Sequence, residues 1–210
     1  MQAISIIFPL HLRAFASKLL APPTSMPLSP SVNRKPMHTR RVECRGYLRD
    51  DGLWDIEGHL VDTKPYDIPG HDRGSGQIAA GEPLHEMWIR LTVDTDLVVQ
   101  DVEACTDHGP YSICPNITDN FKALKGLAIK GGWTQKTREL LGGTKGCTHL
   151  VELLGPVATT AFQTVYSARA KRDDAKPLTA RPGLIDSCHA YAADGPIVMR
   201  RWPQFYTGKS

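Results

Sequence analysis

Two stretches of the chain carry ionisable side chains at alternate positions: His38 and Arg40 in the first, Asp62 and Lys64 in the second. His85 and the pair Asp107-His108 stand at the ends of two later apolar stretches. Histidine, carboxylate and cations together are the parts of general acid–base catalysis. His38 or His85 would remove a proton, and Asp62 would orient the imidazole or act as the base. Arg40 or Lys64 would stabilise a developing oxyanion, and Asp107 would add a further titratable group. Singly, each is an ordinary solvated or hydrogen-bonded side chain, and Arg40 with Asp62 could be no more than a structural ion pair. The catalytic reading depends on their being brought to one place.

A second candidate is the run Gly142-Gly143-Thr144-Lys145-Gly146-Cys147-Thr148-His149-Leu150. It sets a cysteine and a histidine where a helix should start, and free amides and the helix dipole there stabilise thiolates or anions. The Gly-Lys-Ser/Thr ending of a phosphate-binding loop is missing. Cys147 and His149, joined by Cys114 or His85, could instead ligate zinc or hold an iron–sulfur cluster; the competing reading is a tightly packed turn before a helix. The acid–base reading needs no cofactor. A third candidate is aromatic: Trp54, Trp88, Tyr111 and Trp133, with Trp202, could line a substrate pocket, or simply pack in the core. There is no dinucleotide fingerprint, nucleophile elbow or zincin helix.

The elements that must position these residues show in the hydropathy pattern. In residues 40–49, Val42, Cys44, Gly46 and Leu48 alternate with charged residues and Tyr47, the period of a half-buried strand, and Trp54, Ile56, Gly58 and Leu60 repeat it. A two-residue Asp-Gly turn between them would mix the faces. A three-residue loop with Gly52 in the left-handed conformation pairs Leu48 with Trp54, Gly46 with Ile56, Cys44 with Gly58 and Val42 with Leu60. Arg45 then opposes Glu57, and Glu43 opposes His59. Continued outward, this register sets Arg40 against Asp62 and His38 against Lys64 on the core-facing side. A second hairpin pairs the strand holding His85, Met87, Ile89, Leu91 and Val93 with one holding Val98, Val102 and Ala104, across a connection from Asp94 to Leu97. If the second and third strands are antiparallel neighbours, His85 and Asp107 reach the same edge. Between the hairpins, 65–83 holds four glycines and no apolar period, which predicts a long mobile loop, a lid over that edge.

From Leu150, an i, i+3, i+4 pattern through Leu153, Leu154, Val157, Ala158, Ala161, Phe162, Val165 and Tyr166 predicts a helix of about four turns over the sheet, despite Pro156. Shorter helices are predicted at Thr118–Lys125 and Thr134–Leu141, a surface linker at Arg169–Pro182 and a last apolar segment at Leu184–Tyr206. The fold class is α+β, an antiparallel sheet of about four strands in two hairpins covered by C-terminal helices.

Composition narrows the partners. The 210 residues carry a formal net charge of +3, too small and dispersed for nucleic-acid binding, and no segment approaches the ~20 apolar residues of a membrane span. Five cysteines without a Cys-x-x-Cys pair suggest reduced thiols and a cytoplasmic protein. The apolar run Ile4–Leu10 precedes Arg13 and Lys18, the wrong order for a signal peptide. Residues 1–35 are expected to be a disordered or mis-started extension, and 36–206 one domain, with a small-molecule substrate and room for a homo-oligomer.

His38-Thr39-Arg40-Arg41, the Asp51–Gly58 hairpin, Leu60–Lys64, Gly81–Met87 and Gly146–Leu150 together resemble a bacterial family known as domain of unknown function 2889, across about residues 36–206. The resemblance implies a role beside aromatic or acyl catabolism and no agreed catalytic residues. The order of strands, Cys114, a glycine pair and Cys147 before a helix is also similar to the iron–sulfur scaffold proteins, without a diagnostic motif. The leading expectation is a cofactor-independent acid–base lyase that cleaves a C–C or C–O bond in a small lignin-derived aromatic compound, releasing an aldehyde such as formaldehyde. The alternatives are a metal-binding or iron–sulfur carrier module using Cys114, Cys147 and His149, and a non-catalytic ligand-binding subunit.

Overall fold

The computed structural model describes residues 28–70, 72–173 and 180–208. The chain divides into two units, Met1–Lys35 and Pro36–Ser210. Of the first, residues 28–35 are described, exposed and without helix or strand; the expected extension therefore falls mostly outside the described residues.

The second unit is built on a four-stranded antiparallel sheet in the order β1-β2-β5-β6: β1 Thr39–Leu48, β2 Trp54–Thr63, β5 Pro83–Val93 and β6 Val99–His108. The alternation of residues 40–60 sets the first hairpin. Leu48 faces Trp54, Gly46 faces Ile56, Cys44 faces Gly58 and Val42 faces Leu60, and the ladder continues to Arg40 opposite Asp62. Gly52, at φ +84°, makes the left-handed step of the loop, which Arg49 closes by donating its N–H to the Leu53 carbonyl at 2.9 Å. A one-residue slip of β1 would turn Cys44, which packs against the core, and Gly46, which lies against Thr164, to the other face, whereas Val42 and Leu48 of this edge strand are exposed even in the observed register.

One face of the sheet is covered by α2, Thr148–Asp173. Leu150, Leu153, Leu154, Val157, Ala161 and Val165 are buried on it against Ile56, Leu60, Met87, Ile89 and Leu91. Burial of each larger aliphatic side chain is worth about 1.5–3 kcal/mol, so several together outweigh the roughly 3 kcal/mol that Pro156 costs inside a helix. The helix runs on through Asp173, beyond the expected start of a surface linker at Arg169. The shorter elements are a 3-10 segment at Cys114–Leu124, in place of the helix predicted at Thr118–Lys125, and α1 at Trp133–Leu141. Trp133 donates its indole N–H to the Leu154 carbonyl at 3.3 Å and so ties α1 to α2. The last apolar segment forms α3, Pro196–Arg201, and its own small core of Ile185, Val198 and Trp202. Among the described residues no helix is long and apolar enough to cross a membrane.

Two expectations are corrected. β6 starts at Val99, because Leu97 takes a left-handed turn (φ 65°) and Asp94 accepts the Val98 N–H through its side chain. The 65–83 segment is not a structureless lid: β3 (Ile68–Pro69) pairs with β4 (Gln77–Ile78), and Ile78 is buried. Arg73 pins this segment, donating to Glu82 at 2.8 Å, the Pro83 carbonyl at 2.9 Å and the Gly109 carbonyl at 3.3 Å. The five donors of a guanidinium supply the order that the apolar pattern lacks.

α2 packs so closely that Gly58 has no room for a side chain. A Cβ there would lie 2.5 Å from Val157 Cγ2 and 3.0 Å from Leu153 Cγ. Gly58→Ala is expected to lower stability by about 1–3 kcal/mol through overpacking, measured by urea unfolding.

Candidate functional site

Asp62 is the centre of the site. It is the last residue of β2 before the ladder shifts register, it points to the helix-covered side, and it is only 1% exposed. β1 lies on one side of it and β5 on the other, so Arg40 and His85 both stand opposite it. Arg40 forks onto the carboxylate, Nε donating to Oδ1 at 2.8 Å and Nη2 to Oδ2 at 2.7 Å. His38, just outside β1, reaches Oδ1 through Nε2 at 3.0 Å, and His85 reaches Oδ2 through Nδ1 at 3.2 Å. An ionised carboxylate only accepts, so both imidazole nitrogens carry the proton in these contacts.

The first turn of α2 brings the rest. His149 Nε2 is 3.7 Å from Asp62 Oδ2, and its ring lies over that of His85 with centroids 3.8 Å apart. Cys147 Sγ lies 3.9 Å from the other ring nitrogen, Nδ1, of His149. One turn on, Glu152 accepts from Arg40 Nη1 at 2.5 Å. The two separate sequence candidates, the charged sheet edge and the Cys-Thr-His run, thus meet in one place.

The electrostatics follow from burial and the guanidinium. Burial pushes the Asp62 carboxyl up, but the Arg40 hydrogen bonds and charge, with His38, outweigh it and hold the group at about 2. Burial pushes His85 down, the neighbouring His149 adds to this, and Asp62 only partly opposes it, leaving His85 at about 4. His149 is lowered by burial and then by Arg40. Near neutral pH the site is an ionised carboxylate, a fixed guanidinium and two neutral imidazoles in tilted contact.

Of the residues expected at this edge, His38, Arg40, Asp62 and His85 are brought together; Lys64 and Asp107 are not. β2 ends at Thr63, which leaves Lys64 in the loop, where its carbonyl accepts the Gly81 N–H and its ammonium lies 5.7 Å from the Tyr66 ring centroid. A second shift, between Glu86 and Met87, makes Asp107 the extra residue of a bulge. Asp107 then accepts from Trp88 Nε1 at 2.9 Å and Cys105 Sγ at 3.2 Å.

The aromatic residues form no common pocket. Trp54 lies eight residues down β2 from Asp62, roughly 26 Å at strand rise. Trp88 is on the uncovered face, stacked on His59 with centroids 3.5 Å apart. Trp133 is in the core and Tyr111 is exposed. Cys114 starts the 3-10 segment beside Gly109 and does not join Cys147. Among the described residues, the group of three potential ligand atoms that converges is Asp62, His85 and His149, within 4.8 Å of one another. This replaces the expected set of Cys114, Cys147 and His149.

The pattern left Glu152 unnoticed and kept His149 apart from the sheet edge. One signal was available: Leu153, which packs on Gly58, is one turn from His149, and Gly58 is four residues from Asp62 on the same face of β2.

Nothing matches the chain among curated proteins or solved structures. A family profile matches residues 38–163, a span that contains His38, Arg40, Asp62, His85, Cys147, His149 and Glu152. By that match the chain belongs to the family described as "Protein of unknown function (DUF2889)".

Proposed function

We propose that the protein is an acid–base lyase acting on a small aromatic compound of the kind derived from lignin. The observation that carries the reading is the convergence of His38, Arg40, His85 and His149 on one buried carboxylate. So many titratable groups around a 1% exposed Asp62 exceed what an ion pair at a strand end needs. The aromatic substrate class rests on the family resemblance.

His38 is the candidate base. Its Nε2–H is held by Asp62 Oδ1, which fixes the tautomer with the lone pair on Nδ1, and its side chain is 38% exposed and reachable. For an aryl ketone that bears a hydroxymethyl group on its α carbon, His38 takes the hydroxyl proton and the bond between the α carbon and the hydroxymethyl carbon breaks to release formaldehyde. The electron pair moves onto the ketone oxygen as an enolate, and carbon then regains a proton. Arg40, fixed by Asp62 and Glu152, supplies positive charge beside that enolate.

The test is aldehyde release from aryl ketones and alcohols bearing a hydroxymethyl group. Wild-type turnover is expected, with kcat lowered about 10²–10⁴-fold in His38→Ala. His38 is exposed enough that the variant should keep its fold, which circular dichroism checks. Unchanged turnover in His38→Ala removes the base assignment. Ligand-induced stabilisation without turnover would point to a binding subunit instead.

A further inference from the structure

We propose that Asp62 Oδ2, His85 and His149 form a binding site for one divalent first-row transition-metal ion, of the zinc or ferrous class. A catalytic role for that ion rests on the lyase reading; its binding does not. Two imidazole nitrogens and one carboxylate oxygen are the donor set of catalytic sites for these ions, and three protein ligands leave a position open for water or substrate.

The distances suit it. Bonds of ~2.0–2.1 Å in tetrahedral geometry put ligand atoms roughly 3.3 Å apart. His85 Nδ1 is 3.2 Å and His149 Nε2 is 3.7 Å from Asp62 Oδ2, and one ligand atom from each of the three lies within 4.8 Å of the others. An ion would replace the His85–Asp62 hydrogen bond and draw the two imidazoles in toward that spacing.

The surroundings suit it as well. Burial keeps both imidazoles neutral, the form that ligates. His149 turns Nδ1 toward Cys147 Sγ, which leaves Nε2 to face the carboxylate, the outer-shell arrangement that orients ligating histidines. Oδ1 is occupied by His38 and Arg40 Nε, and Oδ2 takes one bond from Arg40 Nη2, so a lone pair of Oδ2 remains on the side of the two rings. Asp62 and Glu152 against Arg40 leave the neighbourhood one negative charge in excess, which favours a dication. Bound there, the ion would polarise an oxygen of the substrate and stabilise the enolate.

The test is titration of the chelator-stripped full chain with Co2+, read by its visible d–d absorption, together with elemental analysis. One ion per chain is expected, with binding weakened more than about 100-fold in His85→Ala and in His149→Ala, beyond the 10–100-fold of a lost outer-shell partner. Cys114→Ser should still bind one ion. Absence of saturable Co2+ binding to the folded wild-type chain would overturn the site, as would equal binding by His149→Ala or loss of binding in Cys114→Ser. Metal binding without turnover keeps the site and rejects the lyase. Turnover that survives chelation, in a chain that takes up no Co2+, does the reverse.

Discussion

Arg40→Ala should cost about 3–5 kcal/mol of stability, because it leaves a buried charge without its main partner. Asp62 is 1% exposed and receives both arms of the Arg40 fork. His38 and His85 can hydrogen-bond the carboxylate, but His85, lowered by burial, brings no full positive charge at neutral pH. For a unit of this size the loss corresponds to a fall in Tm of about 10 °C. Arg40→Lys keeps the charge but not the planar fork, so it should fall between alanine and wild type. The comparison that isolates burial is Arg90, which pairs with Glu57 and Glu103 on the uncovered face, with its own side chain 44% exposed. Arg90→Ala should cost no more than about 1 kcal/mol, as solvated pairs do. Thermal and urea unfolding at neutral pH measure all three. Equal, small losses in Arg40→Ala and Arg90→Ala would mean that the imidazoles alone satisfy Asp62.

Acidification of the metal-free protein should destabilise it in two stages. The first belongs to His85, whose native pKa of about 4 lies below the ordinary 6.5. Its contribution is complete above pH 6.5 and is lost as pH falls toward 4, because the unfolded chain takes a proton that the native site refuses. At 1.36 kcal/mol per pKa unit this amounts to about 3 kcal/mol, and His149, shifted the same way, adds to it. The second stage belongs to Asp62, held at about 2 against the ordinary 3.8. Its contribution is complete above about pH 4 and is lost toward pH 2, about 2 kcal/mol more. Urea unfolding across pH 7 to 2.5, in chelator, should show both. His85→Gln should flatten the upper stage. Arg40→Ala should move the lower stage to higher pH, because the carboxyl loses the guanidinium that holds it down. A wild-type stability flat from pH 7 to 4 would show that His85 takes its proton as readily in the native site as in the unfolded chain.

Half of the site was legible in one dimension. Strand side chains alternate with a period of two, so the pattern of residues 40–60 allowed one hairpin register in which every apolar residue shared a face. That register carried Arg40 to Asp62. Antiparallel adjacency of β2 and β5 then carried His85 to Asp62. Both steps needed only local periodicity and the rule that one face of the sheet is buried.

The register failed where the strands stop being regular. Lys64 and Asp107 continue the alternation on paper, but Lys64 lies past the end of β2 at Thr63, and Asp107 is the extra residue of a bulge opposite Glu86 and Met87, which redirects its side chain. The 65–83 segment lacked an apolar signal because its order comes from Arg73 binding distant carbonyls.

Local periodicity specifies the two hairpins, the core-facing stripe of α2 and the meeting of His38, Arg40, Asp62 and His85. That His149, Cys147 and Glu152 complete the site follows from how α2 packs on the sheet. A helix's apolar stripe states that it will pack on a sheet but not at which point along a strand. Here that point was set by Val157 and Leu153 settling onto Gly58, the place on β2 where the missing side chain lets the helix approach.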